Sequence, residues 1–245
     1  MPSRVIESLS DLSAVVQEAN RELDGDLWWR GQAVGAWRLL AGVFREGFGV
    51  AYEQSATRRF IQRAGSRYAQ CPPHADSAAW LMLMQHYGLP TRFLDWSESA
   101  MVALYFAVES FDDSPAAIFA LAPFELNGVL TGNSWLHSPR HEPAKPLISA
   151  AFGNEADIKT IAIALVTDET DARMLAQLTA LTLHSSGDAL DGLESRERFL
   201  RRYDIPAAAK PYLRQELFWH GVRRSTLFPD LANLAAELRG TRFRG

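Results

Sequence analysis

A chain of 245 residues is long enough to bury one sizeable core, and with no Ser/Gly/Pro-rich linker or break in composition it reads as a single domain spanning residues 1–245. A content of 47% hydrophobic and 22% charged residues is ordinary for a soluble globular protein, and no apolar run reaches the length of a membrane span. A net charge of -4 excludes a chain-wide electrostatic grip on nucleic acid, and the single cysteine, Cys71, excludes a disulfide framework. The start of the chain has an early acid, Glu7, and no long apolar core, so it does not read as a signal peptide; the expected location is the cytoplasm.

Ser8 or Ser10 can cap a first helix, on which Leu12, Val15, Val16 and Ala19 form one stripe ending near Asp24-Gly25. Leu27-Trp28-Trp29-Arg30 then fits a short aromatic strand that ends at Gly31, leaving Arg30 at its edge. A long helix is expected from Glu53 to about Ala69, broken by Cys71-Pro72-Pro73, and a second from Asp76 to Tyr87, stopped by Gly88. Thr91 to Leu94 reads as extended, with Asp95 or Ser97 capping a helix through Glu109. Ala116 to Ala122, Thr160 to Thr167 and Leu178 to His184 read as strands, Asn127 to Pro146 as a surface loop, and Ala207 to His220 as a helix ended by Gly221. The expected class is α+β, with strands concentrated in the second half.

The segment from Gln85 to Ser97, QHYGLPTRFLDWS, crowds His86, Arg92 and Asp95 between two apolar stretches, Ala79 to Met84 and Ala100 to Ala107. Burying such groups without partners costs several kcal/mol, so they must pair with one another, with backbone or with a ligand. One reading is a polar network that locks the turn, with Arg92 paired to Asp95, His86 bonded to backbone, and Arg30 paired to Asp95 or Glu98. The other is a site.

Trp29-Arg30-Gly31-Gln32, Trp37-Arg38-Leu39-Leu40, QHYGLPTRFLDW with ALYFA behind it, and Leu227-Phe228-Pro229-Asp230-Leu231 together resemble the FRG domain, a family named for its aromatic-Arg-Gly motif. The resemblance divides the chain into an N-terminal helix over residues 1–24 and an FRG core over residues 25–240. The order of these motifs also resembles that of ADP-ribosyltransferases. That resemblance implies a mixed or antiparallel sheet core flanked by helices, with NAD as substrate, Arg30 gripping the dinucleotide, and Ser97 or Ser99 supporting the nicotinamide ribose. The implied catalytic set is Arg30, Asp95, Ser97 and Gln177, and the implied binding set is Arg30, Gln32, Gln85, His86, Thr91, Arg92 and Ser99. A planar guanidinium suits pyrophosphate because it presents two parallel donors. Where transferases place a glutamate, this chain has Gln177, expected to face the pocket; the nearest acids, Glu169 and Asp171, are upstream, and the electrostatic work is either lost or passed to Asp95.

Three functions follow as expectations. The first is binding of NAD or a related nucleotide, with transfer of ADP-ribose to a protein or nucleic-acid acceptor, which family association links to toxins and antiviral effectors. The second is a non-catalytic module that senses a nucleotide or nucleic acid. The third is a hydrolase with His86 as base and Asp95 as its orienter. No membrane partner and no metal are expected: Pro139 lies between His137 and His141 and opposes the helix that would align them. The basic runs Arg196 to Arg202 and Arg223-Arg224 are candidate local basic patches, although such runs are usually solvated faces.

Overall fold

The computed structural model describes residues 4–154, 160–166 and 171–240. The first helix, α1 (Leu9–Glu22), is capped by Ser8, whose hydroxyl accepts from Asp11 N at 3.2 Å, and it buries Leu12, Val15 and Ala19. It leads into β1 (Trp28–Gln32), then α2 (Val50–Ala64) and α3 (Ser77–His86). Next come β2 (Phe93–Ser97), α4 (Ala100–Val108), β3 (Ala116–Leu121), α5 (Pro123–Thr131), α6 (Ala144–Ala150) and β4 (Ala162–Leu165). The chain closes with α7 (Ala172–Gln177), β5 (Thr179–His184), β6 (Leu200–Ile205), α8 (Lys210–Trp219), α9 (Arg224–Leu227) and α10 (Leu231–Gly240).

The strands form one six-stranded antiparallel sheet in the order β4-β5-β2-β1-β3-β6. Its centre is therefore built by the first half of the chain, which corrects the expectation that strands gather in the second half. Alternation along β2 and β5 sends Phe93, Leu181 and Leu183 into a cluster with Leu81 of α3 and Leu147 and Ile148 of α6, while Leu94, Trp96 and Ala180 join the main core. Burying such side chains stabilises by ~1.5–3 kcal/mol each.

Several expectations are corrected by packing. Asp95 and Ser97 belong to β2, and the cap of α4 is Ser99, whose hydroxyl accepts from Val102 N. The stretch expected as a loop from Asn127 instead completes α5, started by Pro123 and stopped by Gly132 at φ 79°, and Asn127 is fully buried. Its amide ties β4 to the helix by donating to Ala164 O at 2.9 Å and accepting from Ala164 N at 2.8 Å. The basic run before Arg202 enters β6, and Leu200, Tyr203 and Ile205 are buried there. Thr167 and Glu169, named in the sequence readings, lie outside the described residues.

Candidate functional site

β1 and β2 are neighbours through a single ladder pair, Trp29 with Ser97, whereas β1 pairs with β3 over five positions and β2 with β5 over five. Continued antiparallel register would set Gly31 opposite Asp95; instead the two strands part, and a cleft of about 850 Å³ opens where the ladder stops. Arg30 fills the break. Its Nη1 donates to the main-chain oxygen of Asp95 at 2.6 Å, so a side chain supplies the hydrogen bond that a neighbouring strand would have made. Gly31 is required beside it, because a Cβ there would stand 1.8 Å from Ala103 O of α4. The Arg-Gly pair thus combines a long cation with the one residue that lets a helix lie directly on the strand.

The cleft is lined by Arg30, Gln32, Gln85, His86, Asp95, Ser97 and Gln177 of the expected set. Asp95 is exposed, and its Oδ2 accepts from Gln85 Nε2 at 2.7 Å; Gln85 Oε1 in turn accepts from the buried Thr91 hydroxyl. Thr91 therefore acts behind the wall, holding the amide that aims the Asp95 carboxylate. Ser97 and Ser99 are structural in the same way. The Ser97 hydroxyl donates to Gln177 O at 2.7 Å and accepts from Ser99 N at 3.0 Å, joining β2, α4 and α7 at one corner of the cleft. Gln177 faces the cleft with its amide nitrogen donating to Leu227 O at 3.0 Å, and Leu178 turns the chain with φ 46°.

Arg92 is not in the cleft. It is 1% exposed and forms a two-pronged ion pair with Glu53, itself 1% exposed, through Nε to Oε1 at 3.0 Å and Nη2 to Oε2. The expected Arg92–Asp95 pair is replaced because Arg92 precedes β2 and meets α2, whereas Asp95 opens onto the cleft. His86 Nδ1 lies 3.0 Å from Asp171 Oδ2, so the His86–Asp95 dyad expected for a hydrolase is not formed.

Electrostatically the cleft is cationic at its floor. Burial pulls Arg30 down to about 10, the Asp95 charge opposes that fall and Arg45 adds to it; the guanidinium stays protonated at neutral pH. Among the described residues its Nε has no hydrogen-bond partner, and neither has Gln32 Oε1, two positions along the same strand. Behind them His184, fully buried, is pushed down to about 3 by desolvation first and by the Arg30 charge second. Its Nε2 lies 2.9 Å from the Thr182 hydroxyl, which accepts from Trp96 Nε1 at 3.0 Å. Arg38, Arg45 and Arg173 also line the cleft, against Glu46, Glu109 and Asp95. Arg38 is answered by Asp191, and Arg173 donates to His86 O at 3.1 Å while lying over Phe228, 4.7 Å from the ring centre. Arg38 stands in the motif Trp37-Arg38-Leu39-Leu40 with no site role expected of it, and Arg173 was not singled out; Arg45 and Glu46 carried no signal, since only the return of the 3-10 turn Gly42–Phe44 onto Thr91 brings them near. Among the described residues, no group of three His, Cys, Asp or Glu side chains could hold a metal ion.

A sheet split at its centre, with an arginine closing the floor of the gap, defines an α+β protein with a central cationic cleft. Residues 25–115 match the family model of the FRG domain. The matched segment ends just before β3 and contributes Arg30, Gln32, Gln85, His86, Asp95 and Ser97; Gln177 comes from beyond it. No curated protein and no solved structure matches the chain.

Proposed function

We propose that the cleft binds NAD or a related nucleotide and that the chain transfers ADP-ribose to a protein or nucleic-acid acceptor. One observation carries the reading: Arg30, half-buried at the cleft floor, holds a backbone carbonyl by Nη1 and has an Nε without a hydrogen-bond partner among the described residues. A guanidinium so fixed presents donors to a diphosphate without first being released from a carboxylate. In the reaction the bond between ribose C1′ and nicotinamide breaks, its electron pair leaves with nicotinamide, and an acceptor nucleophile forms the new bond to C1′ while its proton passes to solvent. Asp95, aimed by Gln85 and Thr91, supplies negative charge beside the oxocarbenium-like ribose. Titration with NAD followed by assay of nicotinamide release, with protein, DNA and RNA acceptors, tests both parts.

A second reading, a sensor that holds the nucleotide intact, is favoured by two specific bonds. The Ser97 hydroxyl is spent on Gln177 O and the Gln177 amide on Leu227 O, so two groups of the implied catalytic set already have protein partners. Binding without release of nicotinamide selects this reading.

A further inference from the structure

On the far side of α3 from the cleft lies a second concavity, about 650 Å³, between α2 and α3. Along α2 and the turn that follows it, Arg59, Arg63 and Arg67 recur every fourth residue, which sets successive guanidinium stems roughly 6 Å apart on one helical face. Facing and flanking them are Tyr52, Tyr68 and Tyr87. All three arginines are exposed, as are Tyr52 and Tyr87, and no carboxylate lines the groove. Arg67 Nη1 donates only to Arg63 O and Ser66 Oγ, and Arg59 and Arg63 make no ion pair among the described residues.

The contrast with the basic runs visible in the sequence is sharp. Arg198 pairs with Glu125, Arg201 with Glu22, Arg202 with Asp204 and Arg223 with Glu237, so those cations are neutralised within the fold. The α2 arginines are dispersed in sequence, gathered by the helix, and left with no acid of their own groove.

We propose that the α2–α3 groove is a docking track for single-stranded nucleic acid. Three cations in a line follow a phosphate backbone, and tyrosine faces set among them give unpaired bases something to stack on. An acidic peptide would satisfy the arginines but leave the rings without planar partners. A duplex would not offer its bases to them. The track ends at Tyr87, whose ring meets that of His86 edge to face with centroids 5.0 Å apart, and His86 lines the cleft. A strand held in the groove therefore leads toward the cleft mouth. The proposal concerns binding alone and holds whether or not the cleft turns over NAD.

Fluorescence anisotropy with labelled single-stranded oligothymidylate and oligouridylate, a matched duplex and polyglutamate tests it. Wild type is expected to bind the single strands more tightly than the duplex, with log K falling as log salt rises. The double variant Arg59→Ala/Arg63→Ala should weaken binding at least tenfold and flatten the salt slope by roughly 0.7 per lost contact. Tyr52→Ala should weaken binding with the slope unchanged, and Arg59→Lys should keep the slope. NAD titration of the arginine variants should match wild type, which separates this result from any failure of the cleft. Absence of single-strand binding at 50 mM salt, binding indifferent to these substitutions, equal affinity for duplex, or equally tight polyglutamate binding dependent on the same arginines would each overturn it.

Discussion

Arg30 Nη1 lies 2.6 Å from the main-chain oxygen of Asp95, a bond that stands where the β1–β2 ladder would otherwise continue. One residue thus closes the sheet, opens the cleft and aims a cation into it. For the nucleotide binding proposed above, the same geometry makes the planar shape of the guanidinium the requirement to test.

Arg30→Lys should therefore impair nucleotide binding nearly as much as Arg30→Ala. Lysine keeps the charge and loses the fork that holds Asp95 O and a phosphate together. Calorimetric titration with NAD, with circular dichroism to confirm folding, measures this. Wild-type affinity in the lysine variant would reduce the requirement to charge alone.

Glu53 and Arg92 answer to a different test. Arg92→Ala leaves a buried carboxylate unpaired and should cost about 3–5 kcal/mol in denaturant unfolding. Replacing both, as Glu53→Leu with Arg92→Met, should recover most of that stability and keep nucleotide affinity, because neither side chain lines the cleft. A stable double variant that no longer binds would put Arg92 back in the site.

His184 makes stability sensitive to acid. Its folded pKa, about 3, lies below the ordinary histidine value, so between about 3 and 6.5 the unfolded chain binds a proton that the folded chain refuses. Stability contributed by the neutral ring is complete above pH 6.5 and is lost as pH falls, by up to ~1.4 kcal/mol per unit. His184→Gln should flatten the fall in unfolding free energy between pH 6.5 and 4.5 relative to wild type. Parallel curves would show that the carboxylates alone set the acid limb.

Transferase and sensor part at Asp95 and Gln177. In a transferase, Asp95→Asn should slow nicotinamide release on the order of 10²-fold with little change in NAD affinity, as for loss of a group that acts chiefly in the transition state. Gln177→Ala should have a smaller effect, since its amide is held by Leu227 O. Turnover that survives Asp95→Asn and Arg30→Ala would remove the cleft from the chemistry. In a sensor, wild type releases no nicotinamide and the substitutions change affinity alone.

Local signals in the sequence were enough for α1, whose Ser8 cap and Leu12, Val15 and Ala19 stripe each lie about one turn from the next, and for β1, β3 and β5, whose apolar runs need no partner to be recognised. The crowding of polar residues from Gln85 to Ser97 likewise marked the cleft wall, because charged groups between two apolar helices demand partners. Which partners they take was decided by tertiary structure. Arg92 and Asp95 are three residues apart, yet alternation along an extended chain and the approach of α2 from far upstream send one to Glu53 and leave the other facing the cleft. Asn127 looks like a loop residue until β4 arrives to bond it, and Leu200–Ile205 looks like a charged surface until β3 buries alternate side chains. Arg59, Arg63 and Arg67 become a row only when α2 coils. Local pattern specifies which elements form; pairing between them, fixed by contacts distant in sequence, specifies which polar groups are satisfied inside the fold and which remain open to a ligand.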